Sequence, residues 1–179
     1  EGGRTGQASI FIRLAKCNLT CSFCDTDFER SVKMTLEEVL KEIDKFNCKW
    51  IIWTGGEPAL QLNEEVVSFF KEKGYLQAIE TNGTKRLPAG IDYITCSPKQ
   101  NFELVKELIP EVDELRFPIQ KGDSLPDISV LPKTNRYLLS PIFDNDKIIK
   151  ENVDYCISLI KDNPIWALSL QTHKLIGIR

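Results

Sequence analysis

The chain has no apolar run near the ~20 residues that a membrane-spanning helix needs, so no membrane partner is expected. Its opening residues, EGGRTGQ, carry neither the basic stretch nor the apolar stretch of a secretory signal. The sequence starts on Glu1 rather than Met, and a short segment upstream of Glu1 is therefore expected. Charge of one sign is scarce. A net −3 at pH 7 offers no general attraction to nucleic acid or an anionic surface. Low-complexity tracts and short repeats are missing. Histidine occurs once, as His173, and the six cysteines (17, 21, 24, 48, 96 and 156) are not spaced as pairs. Three clustered and three scattered thiols make a poor disulfide framework, so the chain reads as reduced and cytoplasmic. At 179 residues it suits one domain, 1–179, with a sizeable core.

What is present alternates between two periods. Residues 8–14 (ASIFIRL) read as a strand, and 35–46 as a helix whose Thr35 and Glu38 form a capping box. Leu36, Val39, Leu40 and Ile43 share one face of that helix. A strand at 49–54 precedes GGEP, a helix at 63–74 stops at Gly74, and a strand at 76–81 runs into NGT. Further strands are expected at 92–98, 113–119, 136–141 and 165–171, with helices at 101–109 and near 145–161. Strand–helix–strand alternation predicts an α/β fold with a parallel sheet and right-handed crossovers. The elements are too few for eight βα units, so the expected fold is an incomplete, reduced (βα) barrel. Sites in such folds lie at the C-terminal ends of the strands. CNLTCSFC, GGEP, ETNG and CSPK each follow a strand there, so four polar loops should meet on one rim.

Cys17, Cys21 and Cys24 are spaced four and three apart, and a loop with that spacing can aim three sulfurs at one centre. Structural zinc normally takes four protein ligands, commonly as two separated pairs, and no second pair exists here. An iron–sulfur cluster is normally held by four thiolates. With three, one iron stays open to an outside ligand, and the cluster is the preferred reading over zinc. Cys48, Cys96 and Cys156 lie in or beside apolar stretches and read as buried, inert thiols.

C-x3-C-x2-C after the first strand, with G-G-E-P after the second, resembles the signature of radical S-adenosylmethionine enzymes. The resemblance implies one 4Fe-4S cluster held by Cys17, Cys21 and Cys24, with S-adenosyl-L-methionine as the ligand of the open iron. Glu1-Gly2, FIRLAKCN, CDT, ETNG, CSPK and QTHK narrow it, and together they are similar to the 7-carboxy-7-deazaguanine synthase family of the queuosine pathway. The similarity runs from Glu1 to about Lys174 and is thinnest between 120 and 165. It implies ring contraction of 6-carboxy-5,6,7,8-tetrahydropterin with release of ammonia. It also implies a reduced barrel, a homodimer, Mg2+, and an electron donor such as flavodoxin or ferredoxin.

Carried over position by position, the resemblance places Phe23, Asp25, Gly83, Ser97, Pro98 and Lys99 at the cosubstrate. Gly55, Gly56 and Glu57 of GGEP lie beside its amino group, the glycines admitting close backbone approach. Thr26 matches the magnesium ligand, and Glu1, Arg13, Thr81 and His173 are assigned to substrate. Each has a plainer reading. Arg13 could be a surface residue on an edge strand, Thr26 a turn cap, Lys99 one more solvated lysine, Thr81 a loop hydroxyl and His173 a polar strand end. Lys16 departs from the glycine common at this point in the family, and its side chain is read as pointing to solvent. Two rival functions share parts of the pattern: a glycyl-radical-enzyme activating protein and a non-enzymatic metal-binding domain. Arg13, CDT and QTHK favour a small acidic substrate over the first.

Overall fold

The computed structural model describes residues 1–27, 30–144 and 147–177. Its frame is seven strands: β1 (Ile10–Leu14), β2 (Trp50–Gly55), β3 (Leu76–Thr81), β4 (Tyr93–Cys96), β5 (Glu114–Ile119), β6 (Tyr137–Pro141) and β7 (Trp166–Leu168). All pair parallel, in sequence order from β1 to β7, and the two end strands do not meet. This is the open, partial barrel expected. Between strands run α1 (Leu36–Ile43), α2 (Glu64–Glu72), α3 (Phe102–Leu108) and α4 (Lys150–Asp162), and α5 (Thr172–Leu175) follows β7.

Local signals set these elements. Thr35 caps α1 in a complete capping box with Glu38, and Asn63 caps α2 by accepting from the Val66 amide. Gly74 ends α2 in the left-handed region at φ 80°. Two stretches differ from expectation. The last strand stops at Leu168, because the chain bends after Ser169 to form the short helix α5, which no periodic pattern announces. The fourth helix begins at Lys150, since Asp144 and Lys147 bond each other's backbones in a tight turn first, while Asn145 and Asp146 lie outside the described residues.

Because strand order never reverses, right-handed crossovers put the helices on one face of the sheet. Ile51, Trp53 and Ile79 pack there with Ile43, Phe70 and Tyr75. Leu115, Phe117, Leu139 and Trp166 do the same with Val105 and Cys156. Residues of the other parity face the inside of the partial barrel. The register lays them out in a row: Arg13 level with Thr54, Glu80 level with Thr95, and Thr95 level with Glu114. The inner face is thus strongly polar, with Arg116 two residues further along β5. Cys96 and Cys156 are fully buried, and burial pushes their thiols up to about 12 and about 11. Cys48 differs from the expected burial: it is half-buried, because it sits in the turn before β2, where its thiol reaches the Ala8 carbonyl at 3.2 Å.

Candidate active site

The rim is organised by two loops zipped backbone to backbone. The Gly56 amide donates to the Leu14 carbonyl and the Glu57 amide to the Lys16 carbonyl, each at 2.9 Å. A β-carbon at Gly56 would collide with the Lys16 carbonyl, and one at Gly55 with Leu14. The glycines of GGEP therefore admit the cysteine loop itself. Lys16 takes φ 68°, the left-handed region where glycine is at ease, and its side chain is exposed to solvent.

Glu57 is fully buried. Its carboxylate accepts from the Ala59 amide at 3.0 Å, the Thr81 hydroxyl at 2.8 Å and the Asn82 amide at 2.7 Å. Burial raises its pKa, against the pull of those bonds. It ties GGEP to ETNG, and the Thr81 hydroxyl, which also accepts from the Gly83 amide, is committed to that tie on the helix side of β3. Replacing Glu57 by Gln would turn an NH2 group toward buried N–H or O–H donors. The Glu57→Gln protein should lose about 1–3 kcal/mol, seen as a lower urea midpoint at constant m. An unchanged midpoint would show that the three bonds do not hold the rim.

The three cysteines sit in the loop that Lys16 opens. Cys17 accepts from the Leu19 amide at 3.5 Å and lies 4.0 Å from the Asn82 side-chain amide. The Cys21 thiol is raised by burial; Lys99 draws it down, while Cys24 and then Cys17 push it up. All three sulfurs therefore share one electrostatic neighbourhood, faced by a lysine. Among the described residues, no three His, Cys, Asp or Glu side chains converge as ligands of a single metal ion. A cluster takes one thiolate per iron, so its ligands stand further apart than those of one ion, and three neighbouring cysteines on one loop fit it.

Around them lie the other expected groups. Lys99 is half-buried, donates to Ser97 Oγ at 2.5 Å, and is pushed down to about 8, chiefly by burial. Its ammonium stands 5.6 Å from the exposed Phe23 ring. Ser97 donates to the Arg116 carbonyl at 2.6 Å, and Pro98 is buried beneath. Gly83, at φ 79°, lies over Val105 and Cys96, where a β-carbon would press on both. Asp25 pairs with Lys174, whose side chain is 8% exposed. Burial acts to raise the Asp25 pKa, but the bonds from Lys174 and Gln171 outweigh it, and the net shift is downward. Hence CDT and QTHK, far apart in sequence, are two halves of one contact. The Thr26 hydroxyl makes a long contact, 3.5 Å, to Asp25.

Arg13 points to the inner side, exposed, with its guanidinium 5.6 Å from the Phe11 ring. No acidic partner lies within salt-bridge range of it among the described residues, so it is a cation available to a ligand. The hydroxyl on the inner face beside it belongs to Thr54, which sequence reading passed over. Strand alternation in WIIWTG could have found it once Trp53 was known to face the helices. Glu1 lies with Arg116 at 3.0 Å and has His173 Nδ1 3.8 Å from its other oxygen. Glu80 and Arg116 were also missed, being unremarkable in sequence.

Comparison with known proteins bears on the family and the fold. A profile of the Radical SAM superfamily matches residues 11–162. The chain is 40% identical over 179 residues to the 7-carboxy-7-deazaguanine synthase of Bacteroides thetaiotaomicron, covering all of this chain and 92% of that protein. It is also 40% identical over 191 residues to the synthase of that name from Haemophilus influenzae, covering 99% and 88%. The crystal structure of QueE from Escherichia coli superposes with a TM-score of 0.70 over 95% of this chain and 88% of that one. At 22% identity that likeness speaks for the fold.

Proposed function

This chain belongs to the Radical SAM superfamily and, within it, to the 7-carboxy-7-deazaguanine synthase family, and from that premise we propose how its residues divide the work. The reaction is the ring contraction of a carboxylated tetrahydropterin to 7-carboxy-7-deazaguanine, with ammonia released. The reduced 4Fe-4S cluster and S-adenosyl-L-methionine, when bound, supply the radical chemistry. Cys17, Cys21 and Cys24 hold the cluster. Phe23, Asp25, Gly83, Ser97, Pro98 and Lys99 form the wall against which the cosubstrate lies. Glu57, Gly55, Gly56 and Thr81 act one step back, by holding that wall's loops in register.

The observation that carries this reading is the thiol loop zipped to GGEP, with Arg13, which has no salt-bridge partner among the described residues, on the same inner face. Arg13 receives the substrate carboxylate, since a guanidinium fork matches it with two bonds. Glu1 and His173 reach the same cavity from the two ends of the chain and complete the substrate shell. A low-potential protein such as flavodoxin or ferredoxin provides the electron, and two copies of the chain pair as a dimer. No helix among the described residues is long and apolar enough to cross a membrane. Anaerobic incubation with dithionite, S-adenosyl-L-methionine and the carboxylated pterin, read by mass, tests the assignment; no deazaguanine product would overturn it.

Thr26 would supply its hydroxyl to Mg2+, a hard ion that prefers oxygen ligands. Thr26→Val keeps the shape and removes the ligand. Turnover should fall and its dependence on added magnesium should weaken, with the cluster's visible absorbance unchanged. A parent-like magnesium titration would reduce Thr26 to a turn cap.

A further inference from the structure

One guanidinium on the inner face is shared by three carboxylates. Arg116, whose side chain is 9% exposed, forks one nitrogen to Glu114 and the other to both Glu1 and Glu80 at 3.0 Å each. The three acids differ in what else they do. Glu114 is 1% exposed and saturated: it also accepts from the Gly3 amide at 2.8 Å, the Tyr93 hydroxyl at 3.0 Å and the Thr95 hydroxyl at 3.2 Å. It is the anchor of the group. Glu1 and Glu80 are more open, with side chains 19% and 29% exposed. Each gives one oxygen to the same Arg116 nitrogen, and the other oxygen of Glu1 lies 3.8 Å from His173 Nδ1.

Taken from the Proposed function, on which it rests, we infer that Arg116 is a positioning residue. It holds Glu1 and Glu80 side by side as paired acceptors for the N–H groups of a reduced pterin. Two like charges so close would separate or take up a proton without a cation between them. Burial raises the Glu80 pKa, Arg116 opposes that, and Glu1 and Glu114 add to the rise. The same fork also brings together elements distant in sequence, for Glu1 lies 115 residues from Arg116 and Glu80 36. On the inner face that Arg13 shares, two strands along from it, this pair takes the donor-rich ring while Arg13 takes the carboxylate.

Among the described residues the charged and titratable groups around the pair are Arg116, Arg4, Glu114, Tyr93, His173, Lys99 and the α-amino group of Glu1, and only Arg116 forms an ion pair with both acids. Arg116→Met removes the cation at nearly constant bulk. Pterin affinity, measured by equilibrium dialysis on the reconstituted enzyme, should weaken about a hundredfold, since an uncompensated half-buried charge remains. The acid limb of kcat/KM should move to higher pH, because the Glu80 carboxyl then ionises less readily. Arg116→Lys should restore the acid limb and recover only part of the affinity, a point charge being unable to fork to three partners. Iron content and cosubstrate cleavage without pterin should match the parent. If Arg116→Met does not fold, Arg116→Met/Glu114→Gln relieves the buried anchor charge and should show the same loss of affinity. Parent affinity and a parent acid limb in the folded variant would make Arg116 a structural tie only. Failure of the parent itself to bind the pterin would instead overturn the functional reading, and this inference with it.

Discussion

Cys21→Ala protein, purified and reconstituted without oxygen, should hold little iron and form no product; Cys17→Ala and Cys24→Ala should behave alike. Each thiolate is expected to serve a different iron, so no neighbour can substitute for a missing one. The other cysteines are out of reach for the same purpose. Cys156 is buried under β6 and β7 in α4, with its thiol pushed up to about 11 by burial, and a neutral thiol is neither nucleophile nor ligand. Cys156→Ala should therefore keep full iron and activity, at a stability cost of about 1 kcal/mol. Cys96 is a poorer control, because its sulfur packs beneath Gly83 of the rim. Iron and sulfide analysis with the visible spectrum separates the outcomes. Full loading of Cys21→Ala would remove the cluster assignment, and with it the preference for an enzyme over a metal-binding module.

Arg13→Ala should lower kcat/KM for the carboxylated pterin at least about a hundredfold, or about 2.7 kcal/mol of transition-state stabilisation. Arg13 is exposed and without a salt-bridge partner among the described residues, whereas Arg116 is already committed to three carboxylates. A substrate carboxylate entering the inner face beside β1 thus meets a cation that no described carboxylate neutralises. Covering that pair removes water from both charges, and the loss of one then leaves the other uncompensated. Arg13→Lys should recover part of the loss, since an ammonium lacks the bidentate fork. Cosubstrate cleavage without pterin should persist in both variants, because Arg13 contacts neither cluster nor cosubstrate in this assignment. Turnover of Arg13→Ala at the parent rate and affinity would place the carboxylate elsewhere.

The two residues also show where reading from sequence works. The spacing of Cys17, Cys21 and Cys24 is local, and a short loop leaves three sulfurs few ways to avoid one another. Capping signals at Thr35 and Asn63 and the glycine stop at Gly74 are equally local, and the helices begin and end there. Strand and helix periods alternate along the chain, and parallel crossovers have one preferred hand, so the open barrel with its rim of loops was legible too.

What the chain alone could not decide is which way each rim side chain points. Thr81 and Thr54 are both hydroxyls near strand ends, yet one is bound to Glu57 on the helix side and the other lies beside Arg13 on the inside. That depends on which face the helices cover. Glu57 looked like a carboxylate offered to a ligand and is a buried bracket between two loops. Asp25, assigned to the cosubstrate wall, is also tied to Lys174, 149 residues away. Arg116 carried no signal at all until folding gathered Glu1, Glu80 and Glu114 around it. The sequence by itself determined the elements, their order and the thiol loop, because those follow from neighbours a few residues apart. Only the tertiary structure decided the charge map of the cavity, because an ion pair depends on distance in space, and sequence separation says nothing about that until the strands stand side by side.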